Sequence, residues 1–383
     1  MYYNRFIMDK KAKEIIDSYL QSYIDSNKLS GNSCAIARGE EVIYEENFGY
    51  ANIEKHYKTT SHTCYRLASN TKVITAVAVL ICHQNGWLNI YDTVDKYIPG
   101  FENFYVRNFK DRVIDSEPFK LQIKQLLNHS SGFGSGFLEM KEFPTLKDEQ
   151  KDTLEHFVEN VRNFSLSFRP DAHRFTYSAV TSFNVLARLV EIVSHLSYYE
   201  FLKKYIFNPL GMKHTTYSYE KIKEEDHAIT YKSENGELIP IDDENKGFDS
   251  FVKNHQGGGA GLISTLDDYL KFGIMLTQRG VYKGTRILKE EMIDLLTDGE
   301  LLTNPEGGKE NWGLGVWVRN GMYSCLPIGS FGWSGAYGTH YVSIPKYNLT
   351  LVYMHNSVSI GGAGCETANG IEEKVVEALH LEK

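Results

Sequence analysis

Ser69-Asn70-Thr71-Lys72-Val73-Ile74-Thr75-Ala76-Val77-Ala78-Val79-Leu80-Ile81-Cys82-His83-Gln84-Asn85-Gly86 reads as one helix with a reactive beginning. Val73, Ile74, Ala76, Val77, Val79, Leu80 and Ile81 leave no polar stripe, so this helix has to be covered on every side. Gly86 suits the left-handed position just past a helix end. The uncharged run falls short of the ~18–20 apolar residues that a bilayer demands. Thr75, His83, Gln84 and Asn85 also interrupt it, so no membrane span is expected.

Ser69 and Lys72 stand at i and i+3, on one helix face. A serine hydroxyl is a poor nucleophile until a base takes its proton. A lysine whose pKa is lowered by burial can be that base. Backbone N–H groups in a first helical turn stabilise developing negative charge. The spacing alone is weak, because Ser218–Lys221, Ser250–Lys253 and Ser343–Lys346 share it. Ser218 lies in a charged segment, Ser343 precedes Pro345 at a strand end, and no long apolar helix follows Ser250. Only Ser69 opens a helix buried all round; its alternative reading is a plain N-cap serine.

Working outward, Ala12, Ile15, Ile16, Leu20 and Ile24 predict a helix over 9–27. Ser33–Arg38 and Glu41–Phe48 predict two strands joined at Gly39-Glu40. Helical patterns dominate from about 120 to 215: Leu121–Leu127, Thr153–Phe164, Phe183–Val193 and Tyr198–Phe207. Residues 219–247 turn polar, carry an Asn235-Gly236 turn signal, and read as an exposed excursion. Leu266–Gln278 predicts a helix, Gly313–Val318, Gly338–Ser343 and Leu349–Met354 predict strands, and Ile371–Leu379 a last helix. Strands at both ends around a helical middle predict a discontinuous α/β lobe, 1–75 with 250–383, and a mostly helical lobe, 76–249. A cleft between lobes is the default place for a site.

Composition narrows the function. Of 383 residues, 42% are hydrophobic and 23% charged, which excludes a disordered chain. The net charge of −8 offers nucleic acid or anionic lipid no attraction. The five cysteines are odd in number, scattered and without a Cys-x-x-Cys, so they read as reduced thiols of a cytoplasmic protein. No apolar run follows a basic start, so no signal peptide is expected. The thirteen histidines form no His-Glu-x-x-His and no metal constellation, so neither metal nor cofactor is expected.

Several phrases, in order, resemble the serine β-lactamase and penicillin-binding-protein-like superfamily, above all class C β-lactamases and the esterases sharing their fold. They are Tyr65-Arg66-Leu67-Ala68-Ser69-Asn70-Thr71-Lys72, Gly86-Trp87-Leu88 and Asp92-Thr93-Val94-Asp95-Lys96-Tyr97-Ile98-Pro99. Leu126-Leu127-Asn128-His129-Ser130-Ser131-Gly132, Tyr177-Ser178, Phe207-Asn208-Pro209-Leu210-Gly211-Met212, Gly257–Thr265 and Phe331-Gly332-Trp333-Ser334-Gly335-Ala336 follow. The resemblance covers roughly residues 10–380. It implies an α/β plus all-α fold of the β-lactamase/transpeptidase kind: an antiparallel sheet flanked by N- and C-terminal helices, with an inserted helical lobe.

The resemblance also implies roles. Ser69 is the acylated nucleophile and Lys72 activates it. Tyr177 matches the tyrosine of the family's Tyr-x-Asn and exchanges a proton with Lys72. The N–H groups of Ser69 and Ala336 form the oxyanion hole. Trp333-Ser334-Gly335 takes the place of the Lys-Thr-Gly motif and lies against substrate. Two departures stand out. Ala179 replaces the asparagine that holds a substrate amide, and Trp333 replaces the cation that pairs with a substrate carboxylate. Both remove handles for an anionic amide.

The expectation is therefore a serine hydrolase that cleaves a carboxylic ester through an acyl-enzyme on Ser69. Its rivals are a β-lactamase or D-Ala-type peptidase or amidase on the same residues, and a non-catalytic penicillin-binding-like sensor or scaffold. The implied partner is a small-molecule ester or amide substrate, with no nucleic acid and no membrane. Gly257–Gly261 lacks a following Gly-Lys-Ser/Thr and reads as a sharp turn rather than a phosphate loop. Ser334, in Gly-Trp-Ser-Gly-Ala, lacks the closing glycine of a nucleophile elbow. His340 reads as a packed core histidine, and Trp333 as an acyl-pocket wall or edge-strand packing.

Overall fold

The computed structural model describes residues 8–102, 104–107, 113–115, 119–134, 153–241, 256–304, 306–322 and 324–382. Its centre is a nine-stranded sheet built from both ends of the chain. The first strands are β1 (Gly31–Arg38), β2 (Glu41–Asn52) and β3 (Tyr57–Lys58). The later ones are β4 (Glu300–Thr303), β5 (Lys309–Trp312), β6 (Trp317–Val318), β7 (Phe331–Ser334), β8 (His340–Ile344) and β9 (Leu349–Met354). They lie in the order β4-β5-β6-β7-β8-β9-β1-β2-β3, antiparallel throughout. The two halves join where β1 pairs with β9, from Ser33↔Met354 to Arg38↔Leu349.

Every residue of β9 is buried, because helices cover both faces of the sheet. One face carries α1 (Lys10–Asp25) and the C-terminal helix α5 (Glu366–Leu379), packed together. Ile16, Leu20, Ile371 and Val375 meet Ile36 and Leu351 there. The other face carries α4 (Leu266–Thr277), against β1, β8 and β9. Strand alternation sends Trp333 and Tyr341 to that side, and Val342 and Leu351 toward α1 and α5.

The all-apolar helix is α2 (Thr71–Gln84), buried from Thr71 to Cys82. It packs on α3 (Thr181–Ser194) within the helical region that separates the two halves of the sheet in sequence. Among the described residues, no helix is long and apolar enough to cross a membrane.

Some expectations need correction. Gly313–Val318 is not one strand: Gly315, at φ +73, turns the chain, Gly313 N–H bonds Val316 O, and only Trp317–Val318 pairs. The predicted helix over Tyr198–Phe207 is α-helical to Leu202 and then widens into a π-turn. The excursion, described as far as 241, is anchored rather than wholly exposed. Tyr231 is buried, donates to Glu54 Oε2 at 2.5 Å and accepts from Ile53 N–H. Its Asn-Gly signal does turn a hairpin, Tyr231–Glu234 with Glu237–Pro240. Residues 242–250, with the Ser250–Lys253 pair, lie outside the described residues.

Candidate active site

Ser69 lies in a 3-10 turn, Ala68–Asn70, that runs straight into α2. Ala68 has φ +44, a left-handed conformation that costs an alanine energy and turns the chain sharply before the serine. Asn70, not Ser69, occupies the N-cap of α2, so the capping reading of Ser69 is set aside. Ser69 remains partly accessible, while Lys72 is 0% exposed.

Lys72 Nζ stands 3.2 Å from Ser69 Oγ, 2.6 Å from Ala179 O and 2.7 Å from Gly259 O. The amine donates to both carbonyls and also faces the serine hydroxyl. A neutral amine in this setting turns its lone pair toward the Ser69 hydroxyl; an ammonium donates to the same oxygen. Cys82, on the same helix, offers no competing nucleophile, because burial pushes its thiol up to about 12.

Those carbonyls arrive through the glycine run. A Cβ on Gly258 would sit 2.2 Å from Phe183 O, and one on Gly257 would sit 2.6 Å from Asn184 Oδ1. Bare glycines let this strand of backbone press against α3 and α2. Asn184 Oδ1 accepts from Gly259 N–H, and Thr75 Oγ1 donates to Gly258 O, which fixes Gly259 O over Lys72. The run is thus a close-packed turn, as its composition suggested.

Tyr177, half-buried, precedes α3 by one turn. Its ring centroid lies 5.1 Å from Lys72 Nζ, and its hydroxyl accepts from Trp333 Nε1 at 3.2 Å. Trp333 also packs on Trp312, with ring centroids 4.7 Å apart. The phenol therefore sits between a buried amine and a neutral indole donor.

The end of β7 is stitched to the serine turn by a residue that sequence reading did not single out. Thr339 Oγ1 donates to Leu67 O at 2.9 Å and accepts from Asn70 Nδ2 at 3.0 Å. A Cβ on Gly335 would sit 2.3 Å from Leu67 O, so only glycine allows the strand this close. Ala336 follows, exposed, at the strand end.

Ser334 needs correction. Strand alternation turns its side chain away from Tyr177, and its hydroxyl pairs with His340 Nδ1 at 2.8 Å on the α5 side of the sheet. His340 Nε2 lies 3.2 Å from Glu372 Oε1, which accepts from Arg319 Nη2 at 2.6 Å. His340 is accordingly a packed polar residue beneath the strand. Thr339 and the carbonyls at Ala179 and Gly259 carry no side-chain signature that a sequence could reveal. Among the described residues no cluster of His, Cys, Asp and Glu could hold a metal.

A family model described as Beta-lactamase matches residues 16–373. Protein flp of Staphylococcus aureus (strain MW2) is 28% identical over 221 residues, 58% of this chain and 41% of that protein. The chain thus matches less than half the length of that relative. Among solved structures, EstCE1, a hydrolase with promiscuous acyltransferase activity, superposes with TM-score 0.79 at 22% identity over 97% of this chain and 99% of that one. The octameric penicillin-binding protein homologue from Pyrococcus abyssi gives TM-score 0.73 at 25% identity over 95% and 76%.

Proposed function

The chain belongs to the beta-lactamase family, a family of serine hydrolases and acyltransferases, and from that premise we propose that it cleaves a carboxylic ester through an acyl-enzyme on Ser69. The observation that carries this reading is the contact between a fully buried Lys72 Nζ and Ser69 Oγ at 3.2 Å. Lys72 takes the hydroxyl proton as Ser69 Oγ bonds to the ester carbonyl carbon. The carbonyl oxygen, now negative, is received by the N–H groups of Ser69 and Ala336. The C–O bond to the alcohol breaks, and the alcohol leaves with the proton relayed from Lys72 through Tyr177. Water repeats the sequence in reverse and frees Ser69.

The preference for an ester rests on what stands beside the phenol. Trp333 offers Tyr177 a neutral N–H where the Lys-Thr-Gly motif would supply a cation. Ala179 offers Lys72 its carbonyl and has only a methyl for substrate. Neither can hold a carboxylate or an amide. The fold shared with EstCE1 is consistent with this reading.

Chromogenic esters of increasing acyl length, assayed beside a cephalosporin and D-amino-acid amides, test the proposal. Ester turnover that disappears in Ser69→Ala is expected. Turnover confined to the cephalosporin or the amides would replace the proposal with its peptidase rival. No turnover, with no labelling by a fluorophosphonate, would leave a binding protein.

A further inference from the structure

We infer that His129 is a positioning residue, which sets the Tyr177 phenol in place by holding the backbone on both sides of it. The inference rests on the reading of Tyr177 as the proton carrier. His129 O accepts from Thr176 N–H at 3.2 Å, and its ring nitrogen Nδ1 accepts from Ser178 N–H at 3.1 Å. One residue thus receives the amide before the tyrosine and the amide after it. The ring also packs against the tyrosine it brackets, with centroids 4.7 Å apart. Trp312 at 4.6 Å and Phe183 at 5.4 Å hold the imidazole on other sides.

Three observations say that this arrangement is built for that purpose. His129 has φ +63, a conformation that few residues other than glycine adopt and that positions both its carbonyl and its ring toward the 176–178 segment. The side chain is wholly buried, 0% exposed. Because Nδ1 accepts, a neutral ring carries its hydrogen on Nε2. Nε2 is buried and has no hydrogen-bond partner among the described residues. The nitrogen that is hydrogen-bonded is thus spent on the backbone beside Tyr177, which is a holding contact. Burial first, and Lys72 second, keep its pKa well below the usual histidine value, which preserves Nδ1 as an acceptor. Among the described residues the titratable groups around it are Lys72 from α2 and Tyr177 itself; Glu300 of β4 is tied to the adjacent Asn128 Nδ2 at 3.1 Å.

Two substitutions separate holding from mere packing. Asparagine tolerates the left-handed backbone and can offer Oδ1 where Nδ1 stands. Glycine keeps the backbone and carbonyl but removes ring and acceptor. With a chromogenic ester, His129→Gly is expected to lose about 100-fold in kcat with KM little changed, as a misplaced catalytic group does. His129→Asn is expected to recover most of that loss. A His129→Gly protein with wild-type kcat, or a His129→Asn protein no better than the glycine variant, would overturn the inference. Nitrogen-15 NMR of the wild-type ring provides a readout independent of turnover. A neutral ring protonated at Nε2 is expected at about pH 6.5, where an ordinary histidine is half protonated, because burial lowers its pKa. An imidazolium, or a ring protonated at Nδ1, would overturn it even if the variants failed to fold. Wild-type protein inert to every ester would instead count against the proposed function and leave the NMR result to decide this point.

Discussion

The indole N–H of Trp333 donates to the phenol oxygen of Tyr177 across 3.2 Å. The donor is uncharged and the contact is sheltered by Trp312, so on this side the phenol meets a neutral N–H, while Lys72 Nζ stands 5.1 Å from its ring on another. That neutral contact is the one on which the proposed preference for an ester over a carboxylate-bearing substrate rests.

Removing the N–H donor tests it. Trp333→Phe keeps a ring in the cluster and deletes one hydrogen bond worth about 1–1.5 kcal/mol. Ester kcat is expected to fall about 10-fold, with KM less affected. Steady-state kinetics check this, and an unchanged kcat would show that the contact is packing alone.

Ser69 and Lys72 are expected to differ in what they do for the fold. Ser69→Ala should abolish turnover and change stability by no more than about 1 kcal/mol, since Asn70 holds the cap position. Lys72→Met should lower turnover about 10²–10⁴-fold. It should also lower Tm, because the carbonyls of Ala179 and Gly259 lose a donor at about 1–3 kcal/mol each. Calorimetry beside kinetics separates the two effects; a Lys72→Met protein as stable as wild type would contradict the carbonyl contacts.

Thr339 joins the strand end to the serine turn through Leu67 O and Asn70 Nδ2. Thr339→Val keeps the shape and removes both bonds, with an expected cost of about 1–3 kcal/mol in urea unfolding. Acylation should slow as well, because the segment carrying Ala336, the proposed oxyanion donor, would lose its tie to the serine turn. Valine at this position with unaltered stability and rate would show that the stitch does nothing.

Glu372 provides a pH dependence. Burial alone would raise its carboxyl, but His340 and then Arg319 outweigh that and hold it below the ordinary 4.5. A carboxyl with a depressed folded pKa contributes stability above its unfolded value and loses it as pH falls through the folded one. The Tm gap between wild type and Glu372→Gln is therefore expected to be full at neutral pH and to narrow below about pH 4.5. A gap that stays constant down to pH 3 would contradict the pairing with Arg319 and His340.

Much of this was legible in the sequence wherever apolar pattern and local motif coincide. The burial of α2 follows from a run with no polar stripe, and β9 spans Leu349–Met354 as its strand-forming run, interrupted by Thr350 alone, predicts. The strands β4 and β5 were not, because Glu300, Lys309 and Glu310 carry charge along a sheet edge and break the alternation. At the candidate site, Ser69 and Lys72 are legible from their spacing at the start of α2, and Tyr177 and Trp333 only through the family resemblance. The partners that hold them are not: backbone carbonyls of Ala179 and Gly259 have no residue identity, and Thr339 is an ordinary strand threonine until its two bonds are seen. Ser334 misled because neighbours on a strand face opposite ways, and motif position alone does not say which.

The most direct test of the central claim is intact-mass analysis of the protein mixed with a panel of activated esters and β-lactams, followed by peptide mapping of any adduct. The expected result is one acyl group from an ester on Ser69, absent from Ser69→Ala, with no adduct from the β-lactams. An acyl group mapped to any other residue, or adducts formed by β-lactams and by no ester, would contradict it.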